Sequence, residues 1–107
     1  ILGVSCYDEL ALAEEAARAG ADYVAFGSVF PSRTKPEAVH APLALLGEAR
    51  RRLGLPVAAI GGITLENAPQ VIAAGADMLA VVSDVFDAMD IRTRVEAYGS
   101  LFPCMQA

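Results

Sequence analysis

Lys35 is the only lysine in a chain that carries seven arginines, and it closes the run Ser32-Arg33-Thr34-Lys35 between Pro31 and Pro36. Two hydroxyls and an ammonium within four positions are all hydrogen-bond donors to phosphate oxygens, and the ammonium adds a point charge. The run follows an apolar stretch, Tyr23 to Phe26, that stops at Gly27. An apolar strand opening into such a loop suits a phosphorylated anion. The same residue types also make ordinary solvated loops, and this stretch alone leaves both possibilities open. Each strand ends in small or hydroxylated residues: Ser5, Gly27-Ser28, Gly61-Gly62 and Ser83. Paired glycines let backbone N–H groups approach an anion with no Cβ in the way. Ser83, at the start of a helix, adds a hydroxyl and the positive end of a helix dipole. Singly, each is equally a plain turn or cap; together they point to phosphate binding.

The elements that must position these residues alternate regularly. Leu2 to Ser5 reads as a short strand, and Asp8 as the cap of a helix to about Ala19 with Leu10, Ala13, Ala16 and Ala17 inward. Gly20 stops that helix, and Tyr23 to Phe26 is the second strand. Pro42 fits the first turn of a helix to about Leu53, with Leu43, Leu46 and Ala49 inward. Arg50, Arg51 and Arg52 complement the carbonyl end of its dipole and read as a solvated helix end. Val57 to Ile60 is the third strand. A helix opening at Thr64 or Glu66 and running through Ala74, with Pro69 near its first turn, precedes the fourth strand, Met78 to Val82. Ser83 and Asp84 then cap a short helical stretch, and a last helix spans about Arg92 to Tyr98. The segment Ala19 to Phe26 is echoed by Ala74 to Val81, each copy beginning Ala-Gly-Ala-Asp.

Strands without polar alternation are buried on both faces, which predicts an α/β fold with a parallel sheet covered by helices. Four consecutive βα units fit either a small doubly wound sheet or half of a (β/α)₈ barrel, whose full form takes about 250 residues. A free half barrel exposes two strand edges, so the barrel alternative requires further residues or a partner. The chain opens Ile1-Leu2-Gly3-Val4-Ser5, as if entering mid-strand, which suggests a piece of something longer. In either architecture the ligand belongs at the carboxyl ends of the strands. In barrels a phosphate site typically spans the loops after strands seven and eight. If these strands are five to eight, Gly61-Gly62 and Ser83 fall on those two loops.

At 107 residues the chain is the size of one domain, and 55% hydrophobic content marks it as globular. A net charge of −5 argues against a nucleic-acid surface. No apolar run approaches the roughly 18 residues of a membrane span, and no charged-then-apolar signal is expected. Cys6, Cys104 and the single His40 do not make a metal cluster, and thiols that are buried or free suit a cytoplasmic protein. Asp84, Asp87 and Asp90 are expected at a helix start and read as surface acids rather than metal ligands. His40 reads as a loop residue rather than a base, because nothing near it in sequence orients it.

Gly3-Val4-Ser5-Cys6, Gly20-Ala21-Asp22-Tyr23-Val24-Ala25-Phe26-Gly27, Val29-Phe30-Pro31-Ser32-Arg33-Thr34-Lys35, Ala59-Ile60-Gly61-Gly62-Ile63 and Ala74-Gly75-Ala76-Asp77 resemble, in order and spacing, the C-terminal half of the thiamine phosphate synthase family. The resemblance extends to about Asp90, and the run Pro31 to Lys35 is its most specific part. It implies the C-terminal half of a TIM barrel whose N-terminal half is absent here. It also implies a transferase that joins hydroxymethylpyrimidine diphosphate to a thiazole phosphate, with Mg²⁺ as cofactor and diphosphate as leaving group. Such chemistry needs stabilisation of the departing charge more than an acid–base pair. Carried over residue by residue, Lys35 would hold the departing diphosphate, with Ser5 beside it. Ser32, Thr34, the backbone at Gly62 and Val82-Ser83 would contact the thiazole phosphate. The resemblance assigns the Mg²⁺ ligands to the absent half, so the isolated residues are expected to turn nothing over. Ser32 stands where threonine is common and Ser28 where proline is usual. A related thiazole tautomerase has a histidine at the position of Ser28, leaving that alternative without its proton carrier. A second alternative is a non-catalytic phosphate-binding half barrel that self-associates through its open edges.

Overall fold

The computed structural model describes residues 1–30 and 41–102. Strands and helices alternate as β1 Gly3–Ser5, α1 Leu10–Arg18, β2 Tyr23–Gly27, α2 Leu43–Leu53, β3 Val57–Ile60, α3 Ala68–Ala73, β4 Met78–Ala80, α4 Ser83–Phe86 and α5 Ile91–Gly99. Every strand pair is parallel and the order in the sheet is β1-β2-β3-β4. Spatial order therefore follows chain order with no reversal. A doubly wound sheet reverses direction at its switch point, so this is the barrel type of winding: four consecutive βα units of a TIM-barrel-like fold.

Some boundaries differ from the sequence expectation, each for a local reason. Helix α1 starts at Leu10, and neither the Asp8 nor the capping Glu9 carboxylate accepts from an N–H of its first turn. Pro42 is the cap of α2 rather than a first-turn residue, with extended backbone. Helix α3 starts only at Ala68, because Thr64 and Asn67 first exchange hydrogen bonds across a tight turn. Strand β4 ends at Ala80, two residues early. Asp90 caps α5, its carboxylate accepting from the Thr93 N–H at 3.2 Å.

Alternation along the strands divides the sheet into two faces. Val4, Val24, Phe26, Val57, Ala59 and Leu79 point to the helices and join Leu46, Ala49, Val71 and Tyr98 in the core. The opposite face carries small residues in register except for Met78 and Ile60: Ser5, Ala25, Ala58 and Met78 form one row, and Gly27, Ile60 and Ala80 the next. A Cβ on Gly27 would lie 2.6 Å from the Ile60 carbonyl oxygen, so this row tolerates nothing larger there. Strand β1 pairs only with β2 and β4 only with β3 among the described residues, leaving an open edge on each side.

The Ala-Gly-Ala-Asp echo has a physical cause. After α1 and after α3 the chain closes the same glycine-ended turn, with Ala21 N–H donating to the Ala16 carbonyl (3.0 Å) and Ala76 N–H to that of Val71 (3.3 Å). Gly20 and Gly75 supply the positive φ this requires, 101° and 124°. Each aspartate then brackets the start of the preceding strand. Asp22 N–H donates to the Leu2 carbonyl (2.8 Å) while its Oδ2 accepts from Leu2 N–H (2.7 Å). Asp77 does the same with Val57, at 2.8 and 3.0 Å. These brackets fix the amino ends of the strands and leave the carboxyl ends to loops.

Candidate functional site: the carboxyl rim of the sheet

Because all four strands run the same way, Ser5, Gly27-Ser28, Gly61-Gly62 and Val82-Ser83 all lie at one rim. Ser5, Gly62, Val82 and Ser83 are all exposed there. With strands about 4.8 Å apart, three spacings separate β1 from β4, about 14 Å along the rim. Ser5 and the end of β4 are therefore too far apart for one phosphate group to reach both. Ser32, Thr34 and Lys35 lie outside the described residues, as does His40.

The loop after β3 is the most tightly built part of the rim. Gly61 and Gly62 adopt positive φ, 105° and 66°. A Cβ on Gly61 would stand 2.7 Å from the Ser28 Cα, so glycine is required both by φ and by space. Gly61 and Ile60 carbonyls in turn accept from the N–H groups of Phe30 (3.2 Å) and Val29 (3.0 Å), stitching the β2 loop to the β3 loop. Asn67 Nδ2 donates to the Gly62 carbonyl at 3.0 Å, and its Oδ1 accepts from Thr64 N–H at 2.8 Å. The N–H groups of Gly62 and Ile63 donate to no carbonyl or side chain among the described residues. Helix α4 spans only four residues, Ser83 to Phe86, so the helix dipole expected behind Ser83 is slight; the hydroxyl and the loop amides remain.

Asp84 is not the solvated acid that its place near a helix start suggested. Its Oδ2 accepts from Leu65 N–H (3.1 Å) and from the Tyr98 hydroxyl, and its Oδ1 accepts from Arg94 Nη1 at 2.8 Å. Burial pushes the carboxyl up, but the bonds from Tyr98, Arg94 and Leu65 outweigh it and hold it below the ordinary carboxylate range. Burial, followed by the bond to this carboxylate, pushes the Tyr98 phenol far above its usual value. Local sequence gives no sign of this cluster, because the partners lie 10, 14 and 19 residues from Asp84. Asn67 was legible in principle, since a threonine three residues before an asparagine is a turn-and-cap spacing. Asp87 is exposed, and Asp90 serves the α5 cap.

Ser28 is committed locally: its hydroxyl donates to the Phe30 carbonyl at 2.6 Å and its own carbonyl accepts from Ala41 N–H. Cys6 is fully buried behind the rim, with its thiol donating to the Val4 carbonyl at 3.4 Å. Burial pushes that thiol up, against the bond to Ala25, which makes it a poor nucleophile. Among the described residues, no three His, Cys, Asp or Glu side chains come together in a way that could hold a metal. At the opposite end of the sheet, a shallow depression is lined by Arg50, Gly54, Leu55, Pro56 and Asp77, with its two charges paired at 3.2 Å.

Parallel βα units wound in chain order, with glycines and hydroxyls at the carboxyl rim, define the class of α/β barrels. The chain belongs to the thiamine monophosphate synthase family, whose model matches residues 1–85. It is 67% identical over 102 residues to the thiamine-phosphate synthase of Azoarcus sp., a match covering 95% of this chain and 50% of the relative. It is 66% identical over 102 residues to that of Aromatoleum aromaticum, covering 95% and 49%. The fold superposes on thiamine phosphate pyrophosphorylase from Pyrococcus furiosus with a TM-score of 0.85 and 36% identity, covering all of this chain and 50% of that one. The chain thus spans about half the length of the relatives it matches.

Proposed function

We propose that these residues form the C-terminal half of a thiamine phosphate synthase barrel, which condenses hydroxymethylpyrimidine diphosphate with a thiazole phosphate and releases diphosphate. The observation that carries this is the single rim holding Ser5, Gly61-Gly62 and Ser83, on a chain 67% identical to a thiamine-phosphate synthase. The two open edges would be paired by the four remaining strands of the complete barrel, as the half-length matches suggest.

The rim supports a division of labour. The β1–β2 side, with Ser5 and joined by Lys35, would take the leaving diphosphate. The β3–β4 side, with the Gly62 amide and Val82-Ser83, would take the thiazole phosphate, joined by Ser32 and Thr34. The role of these groups is to neutralise charge that grows as the carbon–oxygen bond to diphosphate breaks. Small side chains at Ser5, Ala25, Gly27 and Ala58 leave room above the sheet for flat heterocycles. Magnesium would add further neutralisation of the diphosphate, but the described residues do not fit a site for it; its ligands belong to the other half. A cytoplasmic location fits small, soluble phosphorylated substrates.

The test is an assay of the complete barrel and of the isolated 107 residues with both substrates and Mg²⁺. The complete barrel should release diphosphate and form thiamine phosphate, and the isolated residues should not. No diphosphate release by the complete barrel would end this assignment.

A further inference from the structure

Two glycines at positive φ in succession make the Gly61–Leu65 loop intrinsically pliable, because glycine restricts its own backbone less than any other residue. Its fixed shape must therefore be imposed from outside. Two side chains do so from different elements. Asn67, at the start of α3, donates to the Gly62 carbonyl (3.0 Å) and accepts from Thr64 N–H (2.8 Å), while its own N–H donates to Thr64 Oγ1 (3.3 Å). Asp84, in α4, accepts from Leu65 N–H at 3.1 Å. Asp84 is also the residue after Ser83, so one carboxylate ties the hydroxyl-bearing turn to the glycine loop.

A carboxylate beside an anion site is normally a liability. Here Arg94 offsets it, donating from one nitrogen to both the Asp84 carboxylate (2.8 Å) and its carbonyl (2.9 Å), and the pair is only 31% and 20% exposed. Tyr98, itself buried, gives the same carboxylate a further hydrogen bond. The charge is thus spent on α5 and on the loop amide rather than presented to the rim.

We propose that Asp84 and Asn67 are positioning residues for the thiazole-phosphate end of the site, holding the Gly61–Leu65 loop and Ser83 in one fixed arrangement so that the anion meets preset donors. This rests on the function proposed above. A donor set fixed in advance loses no ordering entropy on binding, so its effect appears in affinity for the phosphate-bearing partner of that loop and not for the diphosphate on the other side.

The test compares Asp84→Asn and Asn67→Ser with Asp77→Asn in the complete barrel. Asp77→Asn weakens an equivalent carboxylate-to-amide bond, and its pairing with Arg50, at the amino end of the strands, far from the rim. Asparagine at 84 keeps the size but has one acceptor oxygen, which cannot serve Leu65 N–H, the Tyr98 hydroxyl and Arg94 together. Both rim variants should raise KM for thiazole phosphate about tenfold, the cost of about one well-placed hydrogen bond, with KM for the pyrimidine diphosphate within about twofold of wild type. Asp77→Asn should lower the thermal midpoint and leave both KM values in place. A lowered thermal midpoint with unchanged KM for thiazole phosphate in Asp84→Asn and Asn67→Ser would overturn the proposal. If Asp84→Asn does not fold, Asn67→Ser decides, since Asn67 lies partly exposed at a helix start. Titration of wild type with thiazole phosphate separates the two layers. If the Gly61 and Gly62 amide resonances do not respond, the anion site itself is refuted and the positioning role with it; if they respond while the variants bind as wild type does, only the positioning role falls.

Discussion

Gly20→Ala and Gly61→Ala form a matched pair that isolates what the rim demands of its glycines. The two glycines have nearly the same backbone, φ of 101° and 105°. Gly20 has nothing within 4 Å of a built Cβ, whereas Gly61 would drive it to 2.7 Å from the Ser28 Cα, a backbone atom that cannot swing aside. Forcing alanine to a positive φ costs about 1–2 kcal/mol at either site. Overpacking against Ser28 adds about 1–3 kcal/mol at Gly61 alone. The opposing gain from a stiffer unfolded chain, about 0.4–1 kcal/mol, is common to both and cancels in the difference. Gly61→Ala should therefore lose about 1–3 kcal/mol more than Gly20→Ala. In urea, with a slope of about 1–3 kcal/mol per molar, that separates the two midpoints by about 1 M. Equal losses would refute the reasoning, because they would mean that the Ser28 backbone yields freely. Gly61→Ala should also weaken thiazole phosphate binding, and Gly20→Ala, at the other end of the sheet, should not.

Three further outcomes follow from named groups. The folded Asp84 carboxyl lies below its ordinary 3.8, so the unfolded state binds more protons; the stability it contributes is complete above that value and is lost as pH falls through the folded one. Acid titration of stability in wild type against Asp84→Asn should show a shallower acid limb in the variant, and identical limbs would contradict the carboxylate cluster with Arg94 and Tyr98. Cys6, buried and with its thiol pushed up, should react with a thiol reagent only on unfolding, so native labelling at a rate near that of a free thiol would contradict its placement. Lys35→Ala in the complete barrel should depress turnover far more than affinity for thiazole phosphate, and the reverse pattern in steady-state kinetics would reassign that lysine.

Much of the architecture is legible in the chain because its cues are local. Val57 to Ile60 is apolar between Pro56 and Gly61, and β3 occupies those residues. Gly54 follows Leu53 and the three arginines before it, and α2 ends there with a left-handed cap at φ 66°. The repeated Ala-Gly-Ala-Asp announces a recurring unit, though the reason for its aspartate appears only in three dimensions, where Asp22 and Asp77 each reach a strand 20 residues back. The choice between a doubly wound sheet and a barrel was beyond the sequence pattern, since both use the same βα units and differ only in which strands become neighbours. Glycines and hydroxyls at strand ends were readable as a rim because a parallel sheet brings all its carboxyl ends together. Asp84 was misread for the opposite reason. Its neighbours in sequence suggest a solvated helix start, and only the packing of α5 against α4 turns it into a part-buried acceptor.

The most direct measurement is a map of backbone amide shifts in the complete barrel as thiazole phosphate is added. Binding at the carboxyl rim predicts saturable shifts at Gly61, Gly62 and Ser83, with Asp22 and Asp77 at the other end of the strands unmoved. Saturable shifts confined to Asp22, Asp77 and the neighbouring Arg50 would place the anion at the wrong end of the sheet and contradict the site.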